Sequence, residues 1–228
     1  MAELWPLYFG ADWVDEDLNF TITAPETVEA VEYFAAIARA PYTGGSVSAG
    51  TAAMEYGMSW TVNTYKASGF QLSYAPLPKG NEQITIVHTD GAAILRCSKE
   101  KEAAWRFLEW LFKPENAVGF FTQQWNYLVP MRGVYDEWMV QMRDRLGSYV
   151  DTSHYGTVLY GAAPYGVRSP LFTNSKFAPL WQNLLSWGSD NIMFGSGLSA
   201  AINQETSILN HLISAEEQVS ALLRQAQE

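Results

Sequence analysis

The chain has 228 residues, 48% of them hydrophobic and 17% charged, which describes a folding sequence with room for one or two cores and excludes a disordered one. Its formal charge of −10 argues against a nucleic-acid partner, because phosphates call for a basic face. A single cysteine, Cys97, excludes an internal disulfide and a zinc site built from several thiolates. It ends the apolar run 92–95 and reads as a buried, inert thiol. No run is apolar and long enough to span a bilayer, and no basic start followed by an apolar stretch marks a signal peptide.

Taken in chain order, residues 1–25 read as irregular segments and short strands. Asp15, Asp17, Asn19 and Glu26 have the spacing of a calcium loop. Phe20 stands where the sharp turn demands glycine, so a solvated acidic turn is the better reading. Thr23 and Glu26 have capping-box spacing ahead of a helix over 25–39 with Val28, Val31, Ala35 and Ala38 inward, stopped by Pro41. The run Thr43-Gly44-Gly45-Ser46 is a turn or linker. Strands are predicted over 52–58, 70–75, 84–87 and 92–95, with a helix over 59–67. Ser98 caps a helix to about Lys113, with Ala104, Phe107, Leu108 and Leu111 as its stripe. Pro114 starts the next helix, and another is expected over 134–145. Residues 147–172, rich in Gly, Tyr, Ser and Pro, read as a long loop. Helices follow over 174–187 and 197–213, and a Ser214/Glu217 capping box opens a third.

Several segments acquire a joint meaning from their order and spacing. They are Ala53-Met54-Glu55-Tyr56-Gly57-Met58-Ser59-Trp60, Tyr74-Ala75-Pro76-Leu77-Pro78-Lys79-Gly80 and Asp90-Gly91-Ala92-Ala93-Ile94-Leu95. The 98–108 helix, Lys113-Pro114-Glu115-Asn116-Ala117 and Tyr127-Leu128-Val129-Pro130-Met131-Arg132 continue the series. Together they resemble the extracellular solute-binding proteins of ABC importers, in the sugar- and oligosaccharide-binding, maltose-binding-protein-like branch. The resemblance covers nearly the whole chain and is most specific over 48–135.

That resemblance implies an α/β, periplasmic-binding-protein-like (type II) architecture of two lobes, of which this chain supplies the carboxy-terminal part. Residues 1–88 would belong to the carboxy-terminal lobe. Residues 89–145 would cross over and add helices to the amino-terminal lobe, and 146–228 would return and end in a helical tail. The start Met1-Ala2-Glu3-Leu4-Trp5 then falls in mid-protein. The family usually has a longer helical stretch ahead of the glycine matched by Gly50; a natural deletion and an engineered Gly-Gly-Ser splice both stay open.

The resemblance also assigns candidate ligand-binding residues. Trp60, six residues after Met54, falls on a sugar-stacking position; a core tryptophan is the alternative. An aromatic face suits the apolar face of a pyranose, whose hydroxyls need polar neighbours. Asp90 and Gly91 follow the inter-lobe crossing strand, and the Asp90 carboxylate suits sugar hydroxyls unless a turn satisfies it. Trp125 and Tyr127 are cleft-edge candidates. Arg132 is a ligand donor or a surface ion-pair partner. Trp5 and Trp13 match a region that lines the cleft in some relatives. Tyr155, Tyr160 and Tyr165 are weaker candidates.

The implied role is non-enzymatic carbohydrate binding for delivery to an ABC-transporter permease, by a periplasmic or cell-surface protein, with no cofactor and no metal. Self-association, or pairing with a missing amino-terminal half, is expected of a partial chain. A fragment of a carbohydrate-active enzyme and a helical interaction module without a small ligand stay open as alternatives. Asp12, Asp15, Glu16, Asp17 and Asp90 supply carboxylates, but nothing in the sequence pairs two of them as a glycosidase requires. His88, His154 and His211 lack metal-ligand spacing, and no nucleophile elbow or phosphate-binding glycine loop is present.

Overall fold

The computed structural model describes residues 4–226, apart from 60, 63, 64, 66–68, 70, 88–90, 126–128, 130, 132 and 185–190. The chain divides into two units. Unit 1 comprises Met1–Thr43, Leu77–Val87 and Tyr165–Glu228, and unit 2 comprises Gly44–Pro76 and His88–Pro164. The expected segment breaks at 88/89 and 145/146 therefore compare with breaks after 43, 76, 87 and 164, and residues 44–76 group with 88–164 rather than with 1–43.

Unit 1 starts with a short helix, α1 (Leu4–Tyr8), where irregular chain was expected. The longer α2 (Pro25–Arg39) forms as predicted. Proline at its first turn forgoes only an amide that has no intrahelical partner. Its buried stripe is Thr27, Ala30, Val31 and Ala35. Ala40 turns to an extended conformation, because the ring of Pro41 disfavours a helical residue before it. The capping box does not form. Ala24 occupies the cap without a side-chain bond. The amide and hydroxyl of Thr23 instead donate to Glu216 Oε2, at 3.1 and 2.9 Å. A carboxylate there also suits the positive end of α2.

The carboxy-terminal helices pack on α2. The segment predicted as one helix over 174–187 is a 3-10 stretch, Ser175–Leu180, followed by α7 (Trp181–Leu184), with 185–187 outside the described residues. The helix predicted over 197–213 is broken. It becomes α8 (Ser196–Ile202) and α9 (Ile208–Gln225), because Gln204 adopts a left-handed φ of 64° and the Ser207 hydroxyl accepts from Asn210 N at 3.1 Å to start a new helix. Ser214 is no cap: it lies inside α9 and accepts from Gln218 Nε2. The buried stripe of α9 is Ile208, His211, Leu212, Ala215 and Val219. With Trp13, Ile22, Val31, Leu171 and Phe177 these residues build the core of unit 1. The break yields a first prediction. Gln204→Gly removes the cost of a side chain in left-handed backbone and should raise stability by about 1 kcal/mol, whereas Ser207→Ala should lower it by about 1 kcal/mol, both read by chemical denaturation.

Among the described residues, sheet is limited to β1 (Thr85–Ile86) and β2 (Gly166–Val167), paired in parallel. The strand predicted over 84–87 is thus present but short. In unit 2 the described residues of the alternating segment 70–75 form one bridge, Leu72 to Val150, and residue 70 lies outside the described residues. The segments 52–58 and 92–95 form no strand, and none of the described residues pairs with them in a ladder. Cys97, expected to be buried behind 92–95, is exposed. In the predicted helix 59–67, the described residues Ser59, Thr61, Val62 and Tyr65 have 3-10 geometry.

The helices of unit 2 follow the sequence more closely. They are α3 (Lys101–Leu111), α4 (Pro114–Trp125) and α5 (Tyr135–Leu146). Asp136 and Glu137 open α5 and Arg143 and Arg145 close it, matching the helix dipole. The stripe of α3 is corrected: Leu111 is buried, but Phe107 is 55% exposed. Residues 147–172 are not a long loop. Asp151 caps α6 (Thr152–Ala162) by accepting from Ser153 N at 3.0 Å. Its Gly156 sits in close approach: a Cβ there would press on Met139 Sδ and on the Tyr135 hydroxyl, so those side-chain ends would have to shift.

Candidate functional site

In unit 1, α1 carries Trp5 on its first turn and Tyr8 on its last. Loop 80–82 fixes α1. Asn81 N donates to Tyr8 O at 2.8 Å, and Asn81 Nδ2 donates to Phe9 O at 3.2 Å. Only glycine fits at position 80, where a Cβ would approach Tyr8 O to 2.7 Å. The half-buried Trp5 ring lies 5.4–5.9 Å from the rings of Phe34, Tyr33 and Tyr8, and Phe9 lies 5.5 Å from Tyr33. Tyr33 is 51% exposed. Trp5, Phe9 and Tyr33 thus form a partly exposed aromatic surface, of which the sequence reading picked out Trp5 alone. The signal for Tyr33 was its place on α2 off the buried stripe.

Trp13 does not belong to that surface. It is 0% exposed, sits in the unit 1 core and meets Phe194 edge-on at 5.6 Å. As a cleft residue it is therefore corrected: a ring with no exposed face offers nothing for a solute to stack on. The turn around it explains the burial. Trp13 N donates to Asp12 Oδ1 at 2.6 Å, and the Thr21 hydroxyl donates to Asp12 O at 2.6 Å. Burial pushes the Asp12 carboxyl up, with hydrogen bonds from Ser169, Trp13 and Val14 opposing it. Asp15 accepts from the amide and side chain of Asn19, which hold its carboxyl below the usual range. Both are turn-forming carboxylates. Among the described residues no cluster of three or more His, Cys, Asp or Glu side chains suits a metal ion.

Unit 2 carries the remaining candidates. Gly91 is exposed, and Trp125 is the last residue of α4. Trp60, Asp90, Tyr127 and Arg132 lie outside the described residues. Their neighbours are tied down. The Tyr155 hydroxyl reaches Ser59 O at 3.4 Å, Tyr65 donates to Glu55 at 3.3 Å, and Tyr160 reaches Val129 O at 3.4 Å. Tyr155 is buried and stacked on Trp138 at 5.9 Å, so it is a core residue rather than a loop contact. Tyr160 is half-buried against Tyr135, and Tyr165, in unit 1, is 48% exposed. Burial pushes the phenols of Tyr74 and Tyr155 far above their ordinary value, leaving both neutral across the physiological range.

Two surface grooves lie on unit 1. One is lined by Thr23, Glu216, Glu217, Ser220 and Arg224, and the other by Glu32, Arg39, Gln204 and Ser207. Neither includes a sequence-predicted site residue. No described helix is long and apolar enough to cross a membrane.

The sequence model of the family described as bacterial extracellular solute-binding protein matches residues 2–118, just over half of the chain. The match takes in Trp5, Trp13, Trp60, Asp90 and Gly91, and stops before Trp125, Tyr127 and Arg132. No curated protein matches the chain.

Proposed function

This chain belongs to the family of bacterial extracellular solute-binding proteins, and from that premise we propose that its solute is a carbohydrate, which it delivers to an ABC-transporter permease. Members of this family are generally non-enzymatic, and they bind solutes outside the cytoplasm for ABC transport. The observation that carries the reading is the family match over residues 2–118, which takes in Trp5, Trp60, Asp90 and Gly91 of the residues expected at the cleft. A sugar needs flat apolar faces with polar groups at their rim. Nine Trp and 12 Tyr supply the faces in abundance, and around Trp5 they are gathered at a surface.

In this proposal the protein has the type II two-lobe, maltose-binding-protein-like architecture, with 89–145 crossing between lobes. Trp60 stacks on a pyranose. Asp90 accepts hydroxyl protons through charge-assisted bonds, and Gly91 lets the backbone come close. Trp125, Tyr127 and Arg132 line the cleft edge, and Trp5 adds a second aromatic face. The half-exposed rings of Trp105, Phe107 and Trp110 on α3 fit a face covered by another body, such as an amino-terminal half or a second copy.

The test is titration with maltose, maltotriose and longer oligosaccharides, followed by tryptophan fluorescence and calorimetry. A saturable signal without sugar turnover is expected. Trp60→Ala should weaken binding about tenfold, equivalent to roughly 1.4 kcal/mol. Binding of amino acids or glycerol phosphates in place of sugars would overturn the carbohydrate assignment, and unchanged affinity in Trp60→Ala would overturn the stacking role alone. Turnover of the sugar would favour the enzyme alternative.

A further inference from the structure

Helix α9 buries one titratable side chain, His211, which is 6% exposed. Its Nε2 lies 2.9 Å from Met193 O. A carbonyl oxygen only accepts, so this contact places the imidazole proton on Nε2 and leaves Nδ1 unprotonated in the neutral ring. The other edge of the ring is pressed against the first turn of α8. A Cβ built on Gly197 would stand 2.7 Å from Nδ1 and 3.0 Å from Cε1. Glycine at 197 is what admits the ring.

A second proton has to go onto Nδ1, on the edge of the ring pressed against α8. Burial holds the imidazole below its ordinary value, and only the Met193 bond acts the other way. Helix α8 and the 191–195 segment carry no titratable side chain. The charged residues of the other elements packed on α9 are Glu26, Glu29, Glu32 and Arg39 of α2 and Lys176 of the 3-10 stretch; α9 itself carries Glu216, Glu217 and Arg224. None of them contributes to the balance at His211.

We propose that His211 makes the α8–α9 junction acid-labile, its protonation at Nδ1 releasing the first turn of α8 from α9. The sign follows from linkage. The folded form takes up the proton at lower pH than the unfolded chain, whose histidine titrates near about 6.5. The unfolded or locally opened form therefore binds more protons below that pH. Stability of the junction is fully present above about pH 6.5 and falls progressively as the pH drops below it. A protein whose family works outside the cytoplasm meets the pH of its surroundings, so the junction would loosen in acid without any change in ligand.

Hydrogen exchange at 196–215 and the imidazole Cε1–H resonance, followed from pH 7.5 to 5, test this on the whole chain. Divided by the intrinsic amide rate, which itself falls as the pH drops, exchange should report an opening constant that rises about tenfold for each unit by which the folded titration is displaced, and the resonance should titrate below the ordinary midpoint. His211→Gln keeps an N–H donor for Met193 O but cannot titrate, and its opening constant should lose the pH dependence. The same acid rise of the opening constant in His211→Gln would overturn the proposal, as would a wild-type resonance titrating at or above the ordinary value. The latter measurement decides the matter if the variant fails to fold.

Discussion

Trp138→Ala is expected to cost unit 2 about 3–5 kcal/mol, the range for deleting a fully buried tryptophan. The ring has no exposed surface. It stacks on Tyr155 at 5.9 Å and 14°, meets Tyr160 edge-on at 5.6 Å and lies 6.4 Å from Tyr135. Met142, Leu146, Val118 and Val129 belong to the same buried cluster. These neighbours come from α4, α5, α6 and the 129 segment, so the cavity would open where all four converge. A loss of that size is a large share of the 5–15 kcal/mol that holds a typical domain folded. Denaturant unfolding followed by near-ultraviolet circular dichroism reads the effect. Trp138→Phe keeps an aromatic body and should lose less. An unchanged midpoint in Trp138→Ala would contradict this packing.

The helices were legible where two signals coincided. Both α2 and α4 have a proline at the start, and α2 also has an apolar stripe and Pro41 beyond its end. By contrast, α6 was hidden because its sequence includes Gly156 among aromatic and β-branched residues, a composition that reads as a loop. The reason for that glycine, room for Met139 and Tyr135, lies in another helix and leaves no local trace. Likewise, the Ser214/Glu217 spacing looks the same at a helix start and inside a helix; the left-handed Gln204 and the Ser207 cap decided the boundary. The alternation over 70–75 marked a strand, but pairing is non-local, and among the described residues of that segment only Leu72 finds a partner, in Val150. At the candidate site, residue type was legible and environment was not. Trp5 and Trp13 lie eight positions apart and read alike, yet one ring reaches the surface and the other fills the core.

That difference yields a sharp contrast between the two residues. Trp13→Ala should cost unit 1 about 3–5 kcal/mol, because it empties a site bounded by Phe194 and the core shared by α2, α8 and α9. Trp13→Phe should fold, with a smaller loss and solute affinity unchanged, since the ring touches only protein. Trp5→Ala should do the reverse. Its half-buried ring leaves less to lose in stability, while removal of an aromatic face from the proposed cleft should weaken carbohydrate binding severalfold, or roughly 1 kcal/mol. Denaturation midpoints and calorimetric affinities measured on the three variants together distinguish the roles. If Trp13→Phe weakens solute binding while leaving the midpoint in place, Trp13 returns to the cleft and the core assignment fails. If Trp5→Ala loses stability with no change in affinity, the aromatic surface of α1 is structural, and the cleft must be sought around Trp60, Asp90, Gly91 and the edge proposed for Trp125, Tyr127 and Arg132.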